Sequence, residues 1–188
     1  MYKAIIFDFF GVIRGDAYEA WLDKRGLKRE GVFLDVVRAM DSGTISTQDF
    51  LQTLSEEVGD APEAILQEIK GGAVINDDVV SIIQDLHTDY NIGLLSNASM
   101  AIIKPLLRDH NLTELFDEVV VSSEVGHIKP APEIFEIMLE RLGVAANEAI
   151  FIDDSQSNID GAAAIGIVGL VFTGAVKLRE DLSQLEIR

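Results

Sequence analysis

Five short apolar runs punctuate this chain and restrict what it can become: AIIF (Ala4–Phe7), IGLL (Ile92–Leu95), EVVV (Glu118–Val121), AIFI (Ala149–Ile152) and GLVF (Gly169–Phe172). Each has the length of a strand, and each is apolar at nearly every position rather than at alternate ones. A strand reads that way when both its faces are covered, as in a parallel sheet with helices on either side. The stretches between the later runs carry helical period and helical punctuation. Asn76 precedes DDVVSIIQDLH, Asn97 precedes ASMAIIKPLL, Pro132 opens EIFEIMLERL with Gly143 closing it, and DDSQSNIDGAAAIG comes after the fourth run. This alternation predicts an α/β fold, a Rossmann-like parallel sheet flanked by helices.

One segment departs from the alternation. From about Arg14 to Gly72 there is no strand-like run, and four amphipathic patterns succeed one another: AYEAWLDKRG, EGVFLDVVRAM, STQDFLQTLSEEVG and APEAILQEIKGG. They predict a small α-helical subdomain over residues 14–72, inserted into a core made of residues 1–13 and 73–188, with Gly71 and Gly72 as the hinge back to the sheet. Ser46 with Asp49 three residues on has the form of a capping box. Trp21 reads as a packing residue of the insertion.

Charge narrows the function classes. Thirty-two acidic against fifteen basic residues give a formal charge of -17, which repels nucleic-acid backbones and anionic membranes and leaves small diffusible partners. With no cysteine there is no disulfide or thiolate chemistry, and three scattered histidines do not make a zinc site. No apolar run approaches the roughly 18 residues that span a bilayer, and no charged leader precedes the first one. A soluble cytoplasmic protein, monomeric or homodimeric, is the expectation.

In an open parallel sheet, ligands bind beyond the carboxyl ends of the strands. Here the residues at those ends are Asp8, then Ser96 and Asn97, then Asp153 and Asp154; Lys129, in GHIKPAP, falls between the last two sets. Each has an ordinary alternative. Ser96 or Asn97 could cap the next helix, Lys129 could be a solvated surface lysine, and either aspartate of the pair could cap the helix after the fourth strand. Two adjacent acids repel each other, however, and a bound cation would relieve that repulsion. Asp8 is the hardest to explain structurally, because FFGVI is a poor first turn for it to cap.

Taken together, FDFFGVI, LLSNAS, KPAPEIFE and FIDDSQSNIDGA resemble the four ordered motifs of the haloacid dehalogenase superfamily. DSGTISTQDF is similar to a segment of the helical cap that one branch carries between the first two motifs. In style the chain is similar to the N-terminal phosphatase domain of soluble epoxide hydrolases and to sugar-1-phosphate phosphatases. The resemblance implies a magnesium-dependent phosphomonoesterase acting on a small phosphorylated metabolite, with Asp8 as the nucleophile that becomes an aspartyl phosphate. It further implies Mg2+ held by Asp8, Asp154 and the main-chain carbonyl of Phe10, with Asp153 close behind. Ser96 and Asn97 would hydrogen-bond the transferring group, Lys129 would neutralise charge, and Asn158 would steady the last loop. Arg14, Asp16 and Tyr18, near the start of the insertion, are the expected specificity contacts.

The chain departs from that pattern at one place. Most phosphatases of the superfamily carry an aspartate two residues after the nucleophile to protonate the leaving oxygen, and this chain has Phe10. General acid catalysis typically supplies on the order of 10² to 10⁴-fold, so its loss slows such a reaction without abolishing it. The favoured reading is a phosphatase with a good leaving group, or with a proton from water or from a cap residue such as Asp16. The alternatives are a 2-haloacid dehalogenase, whose halide leaves without a proton, and a catalytically impaired ligand-binding or regulatory protein.

Overall fold

The structure, a computed structural model, describes residues 1–187. Arg188, the last residue of the expected core, lies outside the described residues. Five parallel strands form one sheet: β1 (Ala4–Phe7), β2 (Asn91–Ser96), β3 (Glu118–Val121), β4 (Ala149–Asp153) and β5 (Val168–Val171), in the order β3-β2-β1-β4-β5. Because β1 lies between β2 and β4, the chain moves outward on one side of it and then crosses to the other. That reversal opens a crevice at the carboxyl ends of the central strands.

The strand interiors explain the continuous apolar runs. Successive side chains point to opposite faces, so Ile5, Phe7, Ile150 and Ile152 join one core cluster while Ala4, Ile6, Ala149 and Phe151 join the other. The first cluster is covered by α5 (Asp77–Leu86), α6 (Met100–Asp109) and α10 (Ala175–Gln184), and the second by α8 (Pro132–Leu142) and α9 (Gln156–Ala164). A single turn, α7 (Ser122–Val125), comes directly after β3.

The insertion consists of α1 (Ala17–Lys24), α2 (Val32–Asp41), α3 (Thr47–Val58) and α4 (Pro62–Gly71). Tyr18, Trp21, Leu22, Val37, Phe50, Leu54 and Ile65 give it an apolar centre of its own. Leu54 is fully buried there, and truncating it to alanine costs about 2–5 kcal/mol by the usual transfer and cavity effects. The Ser46–Asp49 capping box is present, and Trp21 packs where the sequence puts it.

Four elements differ at their ends from the sequence reading. β2 and β4 run one residue further, to Ser96 and Asp153, because these polar residues still hold ladder positions opposite Val121 and Val171. β5 starts one residue earlier and is half-buried throughout, since an edge strand has a neighbour on one side only. Helix α6 starts at Met100, with Ser99 rather than Asn97 in the capping position. Its first amide is satisfied from outside the helix, by Ser123 Oγ at 3.0 Å.

Candidate active site

Asp8 sits one residue past β1, held against β4 by its main-chain N–H to Ile152 O at 2.9 Å. It is buried, and its Oδ1 accepts the Phe9 N–H at 2.7 Å and the Lys129 ammonium at 2.8 Å. No donor among the described residues reaches Oδ2. One oxygen is thus fixed, and the other is left with its lone pairs free. Phe9 belongs to the core; Phe10 packs edge-on against it with ring centroids 5.0 Å apart and brings no proton to the site.

Lys129 is no surface lysine. It is buried, and besides Asp8 its Nζ donates to Asp153 Oδ2 at 2.7 Å and to the Leu95 carbonyl at 2.9 Å. Asn97 places it: the Asn97 amide donates to Lys129 O at 3.0 Å and accepts the Lys129 N–H at 2.8 Å. Both ends of that amide are therefore engaged by the lysine's main chain, which is why Asn97 does not cap α6. Asp153 is fixed just as fully, by Lys129, by the Ser155 N–H at 2.8 Å and by Asn158 Nδ2 at 3.0 Å and 3.1 Å. Asn158 thus steadies the loop after β4. Asp154, one residue on, is exposed.

One carboxylate oxygen from each of Asp8, Asp153 and Asp154 lies within 4.8 Å of the other two, and the Lys129 ammonium pairs with Asp8 and Asp153. Burial and the neighbouring Asp153 charge, against the pull of Lys129, push the Asp8 carboxyl up to about 8. Burial and Asp153 raise Asp154 as well. Burial lowers Lys129, but Asp8 and Asp153 more than offset it, so the pKa rises and the ammonium keeps its charge. An all-oxygen donor set with excess negative charge suits a hard divalent cation. The backbone leaves room for it: Gly11 has φ +85°, and a Cβ there would stand 2.1 Å from Asp154 Oδ2. The residues present therefore fit a metal ion. Ser96 ends β2; it is fully buried, and its Oγ has no hydrogen-bond partner among the described residues, a state costing about 1–3 kcal/mol.

The three residues expected at the substrate have other engagements. Arg14 is buried and donates to the Lys70 carbonyl at 3.1 Å, tying the segment before α1 to the negative end of α4. Asp16 caps α1 through Oδ1 and pairs with Arg29 through Oδ2 at 2.8 Å. Tyr18 is buried in the centre of the insertion, with its hydroxyl donating to Phe33 O at 2.9 Å. Asp16 nevertheless lines, with Gly11 and Asp154, the cavity that opens between the core and the insertion. Sequence reasoning missed Ser122, which comes directly after β3 and whose Oγ donates to Asp41 O at 2.5 Å while accepting the Ala98 N–H at 2.9 Å. Its place after an apolar strand is the same signal that singled out Ser96.

The sequence profile of haloacid dehalogenase-like hydrolases matches residues 2–166. The chain belongs to that family. Within it, this hydrolase is 29% identical to a D-ribitol-5-phosphate phosphatase of Bacteroides thetaiotaomicron over 97% of this chain and 98% of that protein. It is 26% identical to a sesquiterpene phosphatase of Aspergillus oryzae, over 98% of this chain and 96% of that one. Among solved structures, a HAD family enzyme from Bacteroides thetaiotaomicron, in complex with magnesium and inorganic phosphate, superposes with a TM-score of 0.74. That match spans 91% of this chain and 94% of the other at 23% identity, a likeness of fold.

Proposed function

We propose that this hydrolase is a magnesium-dependent phosphatase of a small phosphorylated metabolite, working through an aspartyl phosphate on Asp8. The observation that carries the reading is the state of Asp8: Oδ1 held by an amide and an ammonium, Oδ2 without a donor among the described residues. Oδ2 attacks phosphorus, and the bond to the leaving oxygen breaks. Water then attacks the aspartyl phosphate and releases inorganic phosphate. Lys129 balances charge on Asp8 and on the transferring group, and the Ser96 hydroxyl, buried at the end of β2 without a partner among the described residues, is the candidate donor to a phosphoryl oxygen once the site rearranges around its ligand. Asn97 and Asn158 hold Lys129 and Asp153 in place. Asp8, Asp154 and the Phe10 carbonyl, with Asp153 behind them, would hold the magnesium, which when bound lowers the repulsion between carboxylate and phosphate. The helical insertion closes over the site and excludes water during transfer.

The relatives support this choice, one being named for a polyol phosphate and a structural neighbour holding magnesium with phosphate. An aromatic residue at Phe10 also fits a dehalogenase, but a reaction that needs no metal has no use for Asp154 opposite Gly11. A binding module would have no need of the complete set of Asp8, Lys129, Asp153 and Asp154.

The test is phosphate release from a panel of phosphorylated sugars, polyols, nucleotides and small acids, with and without magnesium, using Asp8→Asn as the blank. Magnesium-dependent release lost in the variant is expected. Chloride release from 2-chloropropionate by metal-free protein, or tight metabolite binding with no turnover, would overturn the proposal.

A further inference from the structure

We propose that Asp41, at the end of α2, protonates the leaving oxygen and so fills the role that Phe10 leaves empty; this rests on the phosphatase reading. Its position comes first. The carbonyl of Asp41 accepts the Ser122 hydroxyl, and that same Oγ takes the N–H of Ala98, two residues past Ser96. Gly43, two residues further along, has φ +75° and lies so close to the core that a Cβ would stand 2.8 Å from Ser123 O. The turn after α2 is thus fastened onto the segments that follow β2 and β3, two residues past Ser96.

The Asp41 side chain has no structural employment. It is half-buried, makes no hydrogen bond or ion pair to another side chain among the described residues, and lies near enough to Lys129 to feel its charge. An acid also stands at the wrong end of a helix here, where the dipole is negative, so α2 gains nothing from it. The charged groups acting on it are Arg29 from the loop before α2, Asp16 from the start of α1, and Lys129 from the core. Burial, joined by the Asp16 charge, outweighs Arg29 and Lys129 and lifts the carboxyl to about 7, so it can hold a proton at neutral pH and release it in turnover. Asp16, the other acid near the hinge, has both oxygens engaged.

The steps balance. As the bond from Asp8 Oδ2 to phosphorus forms and the bond to the leaving oxygen breaks, the Asp41 proton passes to that oxygen and the alcohol departs. The Asp41 carboxylate then takes a proton from the water that attacks phosphorus, and the bond from phosphorus to Asp8 Oδ2 breaks. Phosphate leaves, and both aspartates return to their starting states.

The experiment uses the full chain with Asp41→Asn and Asp41→Glu, on p-nitrophenyl phosphate and on a primary alkyl phosphate. In Asp41→Asn, kcat on the alkyl ester should fall on the order of 10² to 10⁴-fold, and on the aryl ester, which needs no acid, by less than about tenfold. The basic limb of the kcat profile should vanish in Asp41→Asn and return in Asp41→Glu. Carboxyl-carbon NMR of the metal-free wild type, which needs no turnover, should show Asp41 titrating near neutrality. An equal loss on both esters, no loss, or titration in the ordinary carboxylate range would overturn the assignment. If the wild type hydrolyses neither ester, the phosphatase reading falls and takes this one with it.

Discussion

Replacing Lys129 by methionine tests the electrostatics of the site without any substrate. The substitution keeps the volume but removes an ammonium that stands 2.8 Å from Asp8 and 2.7 Å from Asp153, both buried. Breaking a buried ion pair by deleting one partner usually costs about 3–5 kcal/mol, because the remaining charge is left uncompensated. Here the cost must depend on pH. Asp8 already lies at about 8 in the folded protein against 3.8 for an ordinary aspartate, and a cluster deprived of its cation takes up at least one further proton. A carboxyl whose folded pKa lies above its unfolded value stabilises fully below the unfolded value, and that contribution is lost as pH rises toward the folded one. The deficit of Lys129→Met relative to wild type should therefore grow by about 1.4 kcal/mol per pH unit for each extra proton held. Urea unfolding of both proteins in chelator should show a deficit about 3 kcal/mol larger at about pH 7 than at about pH 5. A deficit that is the same at both would refute the reasoning, since it would mean that Lys129 acts through packing and not through charge.

The same geometry makes two further outcomes testable. Gly11→Ala places a methyl 2.1 Å from Asp154 Oδ2 at a backbone φ of +85°, so magnesium affinity, measured by calorimetry, should fall by about tenfold or more while the chain still folds. An unchanged affinity would show that Asp154 is not a ligand. Metal binding must also expel the proton that Asp8 holds below about 8, so affinity should rise by up to about tenfold per unit between about pH 6 and 8, with proton release into the buffer. A flat affinity across that window would contradict the raised Asp8 carboxyl.

Much of this was legible in the sequence, for a physical reason. Strands covered on both faces must be continuously apolar, so each run announced itself, and the polar residue that ended it announced the crevice. Asp8, Ser96, Asp153 and Asp154 were found that way, because strand position and chemistry are both local. What the sequence could not reveal was how side chains pair across the fold. Asn97 has the composition of a helix cap, yet its amide is taken by Lys129, 32 residues away. Tyr18 and Asp16 look available beside the first motif, but the insertion folds back and engages them with Phe33 and Arg29. Asp41 and Ser122 are 81 residues apart, and only the docking of α2 on the core makes a pair of them. Local pattern reports burial and backbone conformation; it carries nothing about which distant donor claims which acceptor.

The central claim is that phosphorus becomes bonded to Asp8, and it can be read directly. Turnover of p-nitrophenyl phosphate with magnesium, quenched in acid and reduced with borohydride, converts an aspartyl phosphate into homoserine. Peptide mass analysis should place that homoserine at position 8 and nowhere else. Homoserine at another aspartate, or intact Asp8 in protein quenched during rapid phosphate release, would contradict the account.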